Sequence, residues 1–333
     1  MSISDKLGFM ENIEKQLKEK KNLSDSSIKV YLRNLKKLNN DDGFKNFNFL
    51  KDADIIQRRL DIYKENTKRN FLISIVSVLS LSDKPVVKKL HDKYYNLMMK
   101  KNEQINKEID PNELTEVQDK NWISWADVKK QYNELEKKVD EFYKEKHISD
   151  AQYSILLSYV ILSLYIHQSP RRNKDYQIMK LTNNYTASLS KENNWLDLSK
   201  KEFIFNSYKT SSKYGLQRIP INDELWKVLL KYFKHHKLTS FRRGIPTLNE
   251  NDNDDWFLIH KDGSPLDKVN SITRILNKIF NKAIGSSMLR HIFLTDKYGE
   301  VVDNQKKDAN DMAHSEGQQK DYIKKTKPIV VAF

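Results

Sequence analysis

Hydrophobic positions in the first hundred residues recur at the three-to-four-residue spacing of amphipathic helices. The clearest segment follows Ser24, and its apolar residues are Ile28, Tyr31, Leu32, Leu35 and Leu38. The serines just before this stripe can cap the helix N-terminus with their hydroxyl groups. The same spacing appears in residues 9–17, 55–63, 71–82 and 90–98. Residues 1–102 are therefore predicted to form a helical domain with its own core.

The pattern changes twice in the next seventy residues. Residues 103–122 have no clear apolar period and contain an Asp-Pro pair, which is typical of a linker. Residues 123–333 are predicted to form a second domain, which begins with a helix that Ser124 can cap. The segment ISDAQYSILLSYVILSLYIHQ is apolar on nearly all sides and is predicted to be a buried helix. It leads into SPRRNKD, where Arg171 and Arg172 need a partner, because guanidinium groups are rarely left unpaired at the end of a buried helix.

Short runs rich in β-branched and aromatic residues follow, in the order WLDLS, EFIFNSY and QRIPI. They predict a small antiparallel sheet, with Lys209, Lys213 and Arg218 around one hairpin. Further along, FLIHKDGSPL is predicted to be a strand and a turn, and VNSITRILNKIFNKA a helix. The apolar tail KPIVVAF could fray, pack on its own domain or pack on a neighbouring copy. The predicted fold class is mainly α with a small antiparallel β-sheet.

The charge balance favours a polyanionic partner. The 333 residues carry a net charge of +14 with a pI near 9.4 and a mean hydropathy of −0.75. On the helix after Ser24, the cations Lys29, Arg33, Lys36 and Lys37 could contact DNA phosphates, or they could form an ordinary solvated face. The longest apolar run, residues 71–82, is too short to cross a bilayer, so no membrane partner is expected. No secretory signal is visible at the N-terminus, which predicts an intracellular protein.

The choice of side chains narrows the chemistry. The chain contains no cysteine, which excludes disulfides, a thiol nucleophile and cysteine-ligated zinc. Of its 59 basic residues, 48 are lysine and 11 are arginine. Lysine is thus the default cation of this chain, and each arginine position is informative.

Residues 286–325 concentrate the candidate catalytic groups. Arg290 and His291 lie in an apolar helical pattern, His314 and Ser315 follow 24 residues after Arg290, and Tyr322 comes eight residues later. A cation, a hydrogen-bond donor and a hydroxyl nucleophile are the groups that transesterification of a DNA phosphate requires.

Four segments stand in one order at compatible spacings: SPRRNKD, YKTSSK, SSMLRHIFLT and MAHSEGQQKDYIK. Together they resemble the tyrosine recombinase/integrase family, which includes phage integrases and bacterial chromosome-dimer recombinases. The resemblance covers most of residues 124–330, and LSDSSIKVYLRNL resembles the start of that family's helical core-binding domain. It implies a core-binding domain followed by a mixed α/β catalytic domain, with an origin in a virus or mobile element as one interpretation.

The resemblance assigns the first two motifs. SPRRNKD places the catalytic arginine at Arg172 and an acidic residue at Asp175, where the family usually has glutamate, and Arg171 is the alternative arginine. The catalytic lysine of the family's β-hairpin falls on Lys209, with Lys213 as the alternative.

The later motifs place the second arginine at Arg290, the histidine after it at His291, a further catalytic histidine at His314 and the nucleophile at Tyr322. Ser287 stands where the family usually has a histidine three residues before the arginine. A serine hydroxyl can donate to a phosphate oxygen, but it is a much poorer base near neutrality.

The family's chemistry implies cleavage and rejoining of double-stranded DNA through a 3′-phosphotyrosine. Neither a cofactor, nor ATP, nor a metal is expected, because the cationic side chains serve instead. The resemblance also implies a homo-tetramer on two DNA sites, with each two-domain chain clamped around a duplex in the cytoplasm, nucleus or viral factory. Two alternatives stay open: a type IB topoisomerase, which relaxes supercoils, and a catalytically silent DNA-binding protein of the same fold.

Overall fold

The computed structural model describes residues 3–108, 112–249 and 255–324, and the chain divides into two compact units, residues 1–114 and 115–333. The division falls within the segment predicted as a linker, residues 103–122. That segment differs from the prediction, because helix α5 continues to Glu108 and helix α6 covers Glu116–Asn121. Helix α6 buries no residue, so its sequence carries no apolar period that would reveal it.

Unit 1 is helical in its described part, as predicted. Its helices are α1 (Ile3–Lys21), α2 (Asp25–Leu38), α3 (Ala53–Leu60), α4 (Glu65–Leu79) and α5 (Pro85–Glu108). Ser24 caps α2 by accepting a hydrogen bond from the amide of Ser27, which confirms the predicted cap. Asn34 of α2 donates to the hydroxyl of Ser74 in α4 at 3.0 Å inside the core.

Unit 2 is built around the buried helix that its apolar sequence predicted. Besides α6, its helices are α7 (Trp125–Phe142), α8 (Asp150–Ile166), α9 (Asn173–Gln177), α10 (Ser211–Tyr214), α11 (Asp223–Phe233), α12 (Ser271–Phe280), α13 (Ser286–Asp311) and α14 (Glu316–Tyr322). Ser149 begins α8 with a capping box that includes Gln152. Within the described ranges, no helix combines the length and the apolar character needed to cross a bilayer.

The main sheet of unit 2 is mixed, which corrects the prediction of a purely antiparallel sheet. Its strands, in spatial order, are β1 (Met179–Thr182), β2 (Asn194–Asp197), β3 (Glu202–Phe205) and β4 (Gln217–Pro220). Strands β2, β3 and β4 are the three predicted ones and pair antiparallel, whereas β1 pairs parallel to β2. The sequence Met-Lys-Leu-Thr of β1 is only four residues long and lacks a run of β-branched or aromatic residues, so it was not recognised.

A second, two-stranded antiparallel pair consists of β5 (Thr239–Arg242) and β6 (Ile245–Leu248). The strand predicted in FLIHKDGSPL is not formed, since its residues make only isolated bridges such as Ile259 with Pro265. The predicted turn is present there, with Gly263 at a φ of 94°. The apolar tail KPIVVAF lies outside the described residues.

Candidate active site

Arg171 is fully engaged by neighbours within unit 2. Its Nε donates to Asp175 Oδ2 at 3.0 Å and its Nη1 donates to Gln217 Oε1 at 2.8 Å. The guanidinium carbon also lies 3.7 Å from the centroid of the Phe205 ring, a cation–π contact. These contacts tie the segment after α8 to strands β3 and β4, so Arg171 has a structural task.

The side chain of Arg172, by contrast, makes no hydrogen bond or ion pair with any residue that the structure describes. It is the N-cap residue of α9 and is half-buried. Arg290 lies in the second turn of α13, where its Nε donates only to the carbonyl of Ser286 at 3.3 Å. Burial lowers the pKa of Arg290, and the neighbouring charge of Arg172 lowers that pKa further. The two guanidinium groups are therefore close enough to repel each other.

Asp175 is ion-paired with Arg171, and the charges of Arg172 and Arg290 also act on it. Its side chain is buried, and burial raises its pKa, whereas the charges of Arg171, Arg172 and Arg290 oppose that rise. We call these four residues the arginine centre. Three guanidinium groups and one carboxylate leave an excess of positive charge in this half-buried region. An anionic ligand would stabilise the region by neutralising that charge.

Helices α8, α9 and α12 position the arginine centre through a chain of hydrogen bonds. The Tyr165 hydroxyl donates to Asn173 Oδ1 at 2.7 Å, and Asn173 Nδ2 donates to Thr273 Oγ1 at 2.8 Å. A Cβ atom on Gly285, just before α13, would lie 3.4 Å from Thr273 Cγ2. Helix α13 thus begins tightly against α12, which fixes the place where Arg290 projects.

Lys209 and Lys213 lie in the connection between β3 and β4, residues 206–216, and Arg218 lies on β4, as the predicted hairpin required. Both lysines are exposed, and Lys213 Nζ lies 5.3 Å from the centroid of the Tyr214 ring. Lys209 makes no hydrogen bond or ion pair with the described residues. Its neighbour Tyr208 has its ring centroid 5.1 Å from the Arg171 guanidinium, which places this connection beside the arginine centre.

The buried amide of Asn194 holds the start of that connection. Its Nδ2 donates to the carbonyl of Asp175 at 2.9 Å and to that of Ser207 at 3.0 Å. Its Oδ1 accepts from the backbone amides of Asn206 at 2.9 Å and Ser207 at 2.8 Å. A single side chain on β2 therefore joins α9, which carries Asp175, to the segment that carries Lys209.

His314 and Tyr322 form a pair of stacked rings, with centroids 5.2 Å apart and planes 8° from parallel. Helix α13 ends in a Schellman motif, in which the amide of His314 donates to the carbonyl of Ala309 at 2.8 Å. Ala313 occupies its left-handed position at a φ of 54°. Ser315 then begins α14 with a capping box to Gln318, and Tyr322 is the last residue of that helix. We call His314 and Tyr322 the distal pair.

The structure does not bring the distal pair to the arginine centre. Arg290 and Asp311 are 21 residues apart on the same continuous helix, which corresponds to about 30 Å along its axis. Helix α14 has only seven residues and spans about 10 Å, too little to return to Arg290. The five predicted catalytic residues therefore fall into an arginine side, near which Lys209 lies, and a separate nucleophile side.

The remaining predicted positions are exposed. Ser287 and His291 lie on the first turns of α13 with their side chains in solvent. In unit 1, the cations of α2 occupy the side of the helix opposite to its buried residues; they are Lys29, Arg33, Lys36 and Lys37. Their exposure is compatible with both interpretations of this cationic face, as a phosphate-binding surface or as an ordinary solvated surface.

The sequence did not reveal the supporting polar residues, chiefly Tyr165, Asn173 and Asn194. Each is one of many residues of its type, and no local motif distinguishes it. The one available signal for Asn194 is its position at the start of a strongly β-forming run, where an asparagine is unusual.

Comparison of the chain with family models, with curated proteins and with solved structures gives no match. The assignment of the site depends on the residues and the geometry described above.

Proposed function

We propose that this chain is a DNA strand transferase, a site-specific recombinase or integrase that cuts and rejoins double-stranded DNA through a 3′-phosphotyrosine. One observation carries the proposal. Asp175 is already paired with Arg171 at 3.0 Å, and the Arg172 side chain has no partner among the described residues while its charge acts on Arg290, so these two guanidinium groups are left for an anion such as a phosphodiester.

The proposed chemistry gives each residue a task. Arg172 and Arg290 hold the nonbridging oxygens of the scissile phosphate and stabilise the added negative charge of the pentacoordinate transition state. Tyr322 loses its phenolic proton to water as its oxygen attacks the phosphorus, the bond to the 5′ oxygen breaks, and Lys209 gives that oxygen a proton. The products are a 3′-phosphotyrosine and a free 5′ hydroxyl, and rejoining is the same reaction in reverse. His314 donates a further hydrogen bond to the phosphate.

This mechanism requires the distal pair to meet an arginine centre. In one route, α13 bends within a single chain. Gly299 lies in the middle of that helix, where a glycine weakens helical structure by about 1 kcal/mol relative to alanine. In the other route, Tyr322 of one copy acts at the arginine centre of a second copy, as a multimer on two DNA sites permits.

The first experiment tests the nucleophile. The full chain is incubated with nicked duplexes drawn from the DNA that flanks its own gene, and denaturing gels detect covalent adducts. We expect Tyr322→Phe to abolish the adduct while DNA binding is retained, because only the attacking oxygen is lost. The control Tyr298→Phe removes another half-exposed hydroxyl from α13 and should leave the adduct unchanged. An adduct formed by Tyr322→Phe would refute the assignment.

The second experiment separates the two routes. Arg290→Ala and Tyr322→Phe proteins are each inactive on their own under the proposal, and they are then mixed in equal amounts. If Tyr322 acts on another copy, the mixture regains adduct formation, since one partner supplies the tyrosine and the other the arginines. If α13 bends within one chain, the mixture stays inactive.

A DNA-binding protein without strand cleavage is the second candidate. The separation of the distal pair from Arg290 and the exposed Ser287 in place of a histidine favour it. Under this candidate the wild-type chain binds the same duplexes in a salt-dependent manner but gives no adduct.

A further inference from the structure

Beside the hairpin that carries Lys209, unit 2 has a cleft of about 710 Å³.

 A larger cavity of about 1040 Å³ lies in unit 1. Both volumes lie near the range of roughly 300–1,000 Å³ that is typical of small-molecule sites. The hairpin cleft is lined by Tyr185, Lys191, Lys200, Asn206, Leu216 and Arg218, among others, and no carboxylate lines it.

The walls of this cleft are held by buried polar groups of β2. Asp197 is fully buried, and its Oδ2 accepts from the amide of Tyr185 at 2.8 Å. Its Oδ1 accepts from the amides of Ser199 at 2.9 Å and Lys200 at 3.0 Å. Asn194 holds Asn206, in a further part of the lining, because its Oδ1 accepts from the Asn206 amide. Two buried side chains thus set the positions of three separate loops around one opening.

The charges of the cleft are suited to one anionic group. Arg218 is paired with Glu202, with 3.2 Å between Nη2 and Oε1. Lys191 and Lys200 are exposed and have no ion pair with the residues that the structure describes. Two lysines without an acidic neighbour in the lining provide a site for a phosphate, which Lys binds as a point charge.

The rest of the lining fits a nucleobase. Tyr185 and the half-exposed Leu216 offer aromatic and aliphatic surface, and the Arg218 guanidinium lies 5.4 Å from the centroid of the Tyr185 ring. The Asn206 Nδ2 donates to the carbonyl of Asn193 at 3.0 Å, and its Oδ1 accepts from the Tyr185 hydroxyl at 3.4 Å, so the remaining lone pair of Oδ1 is what can accept from a base edge. Aromatic and guanidinium planes with nearby cations are the features by which proteins hold unpaired nucleotides. The cleft also has several times the volume that a phosphate group alone needs.

We propose that this cleft binds one unpaired nucleotide of the DNA, with its phosphate at Lys191 and Lys200 and its base against Tyr185 and Leu216. The inference rests on the proposed function, in that DNA is the polymer that supplies the nucleotide. Asn206 and Leu216 of the connection at residues 206–216 line the cleft, so the nucleotide is held by the same hairpin that carries Lys209. An unpaired position near the cleaved bond would thereby be recognised by the hairpin.

The test compares two duplexes that differ by one unpaired adenosine, using fluorescence anisotropy at fixed salt. Full-length Tyr322→Phe protein is used so that covalent attachment does not disturb the equilibrium. We expect the duplex with the unpaired adenosine to bind about fivefold or more tightly, because stacking of one base has an effect of that size. The variant carrying Lys191→Ala and Lys200→Ala should lose this preference, as should Tyr185→Leu.

A matched control carries Lys137→Ala and Lys138→Ala, which removes the same charge from the exposed face of α7. It should weaken both duplexes alike and keep the preference. Deoxyadenosine monophosphate should abolish the preference at a concentration at least about tenfold lower than inorganic phosphate or deoxyadenosine requires. Of the three compounds, only the nucleotide carries both the base and the phosphate.

Equal affinity for the two duplexes would overturn the inference, and so would a preference that survives the Lys191→Ala and Lys200→Ala changes. Inorganic phosphate as effective as the nucleotide would also overturn it, because the cleft would then bind only a phosphate. None of these outcomes bears on the adduct formed by wild-type protein, so this inference and the proposed function fail separately.

Discussion

The arginine centre and the distal pair differ in how firmly the fold holds them. The arginine centre is partly or fully buried, and side chains from α8, α9, α12 and the sheet surround it. Of the distal pair, His314 lies just before α14 and Tyr322 is the last residue of that helix, which buries no residue, and Tyr322 is 65% exposed. The cationic part of the proposed site is thus preformed, whereas its proposed nucleophile is carried on a lightly attached helix.

This difference matches the two demands of phosphoryl transfer. Groups that stabilise transition-state charge act best when they need no reorganisation, so a preformed cationic centre is favourable. A nucleophile that is kept away until the DNA is engaged cannot attack at the wrong place.

Arg172→Ala should reduce the rate of adduct formation by a factor of about 1,000, because one preorganised donor to the phosphate is lost. The rate is measured on the nicked duplexes described above. Lys174→Ala removes an exposed cation two residues away on α9 and is the control, with a rate close to wild type. A loss of less than tenfold for Arg172→Ala would show that the arginine centre does not bind the reacting phosphate.

Arg171→Leu should destabilise unit 2 by about 3 kcal/mol, because Asp175 loses its hydrogen-bonded cation while it stays buried. Urea unfolding followed by circular dichroism measures this change. On the nucleophile side, Tyr322→Ala should change the free energy of unfolding by less than about 0.5 kcal/mol, as is usual for an exposed side chain. Similar losses for the two variants would contradict the contrast between the regions.

Asn194→Ala should cost about 2 kcal/mol of stability, because it leaves the buried amides of Asn206 and Ser207 and the carbonyl of Asp175 without their partner. The variant should also loosen the connection that holds Lys209. Faster hydrogen exchange at the amides of Asn206 and Ser207 would register that loosening. Unchanged exchange there would mean that the loop is held by other contacts.

Ala313→Gly should stabilise the junction of α13 and α14 by about 1 kcal/mol, because glycine adopts the left-handed conformation without the steric cost that alanine has there. The amide of His314 reports the change, since it is bonded to Ala309 within the Schellman motif. Its hydrogen exchange should slow by about fivefold, whereas Ala309→Gly, in the body of α13, should speed it. If the exchange of the His314 amide does not slow in Ala313→Gly, the Schellman motif does not have this role.

The sequence predicted most of the helices because their apolar residues repeat regularly, as in α2 and the uniformly apolar α8. It also predicted strands β2, β3 and β4 and the hairpin with Lys209, where β-forming residues are dense. It missed β1, which is too short to carry a pattern, and α6, which has no buried face. The parallel pairing of β1 with β2 depends on contacts remote in sequence, which local preferences do not encode.

The sequence predicts the charged members of the candidate site but not the polar residues that support them. Arg172 and Arg290 stay predicted phosphate ligands, and in the structure the charge of Arg172 acts on the guanidinium of Arg290. Their separation from Tyr322 was not foreseen, because spacing along the chain does not show that residues 286–311 form one unbroken helix. The roles of Asn194 and Asp197 depend on which loops meet at β2, and that meeting exists only in three dimensions.

Because α13 is one continuous helix, the distance between two positions along it follows from the helical rise per residue. His291 and Met312 are both exposed near its two ends, and the chain has no cysteine of its own. Spin labels on cysteines introduced at these two positions would lie about 30 Å apart along a straight helix. A second, shorter distance that appears when DNA is added would measure how far the helix bends and what fraction of the molecules has bent.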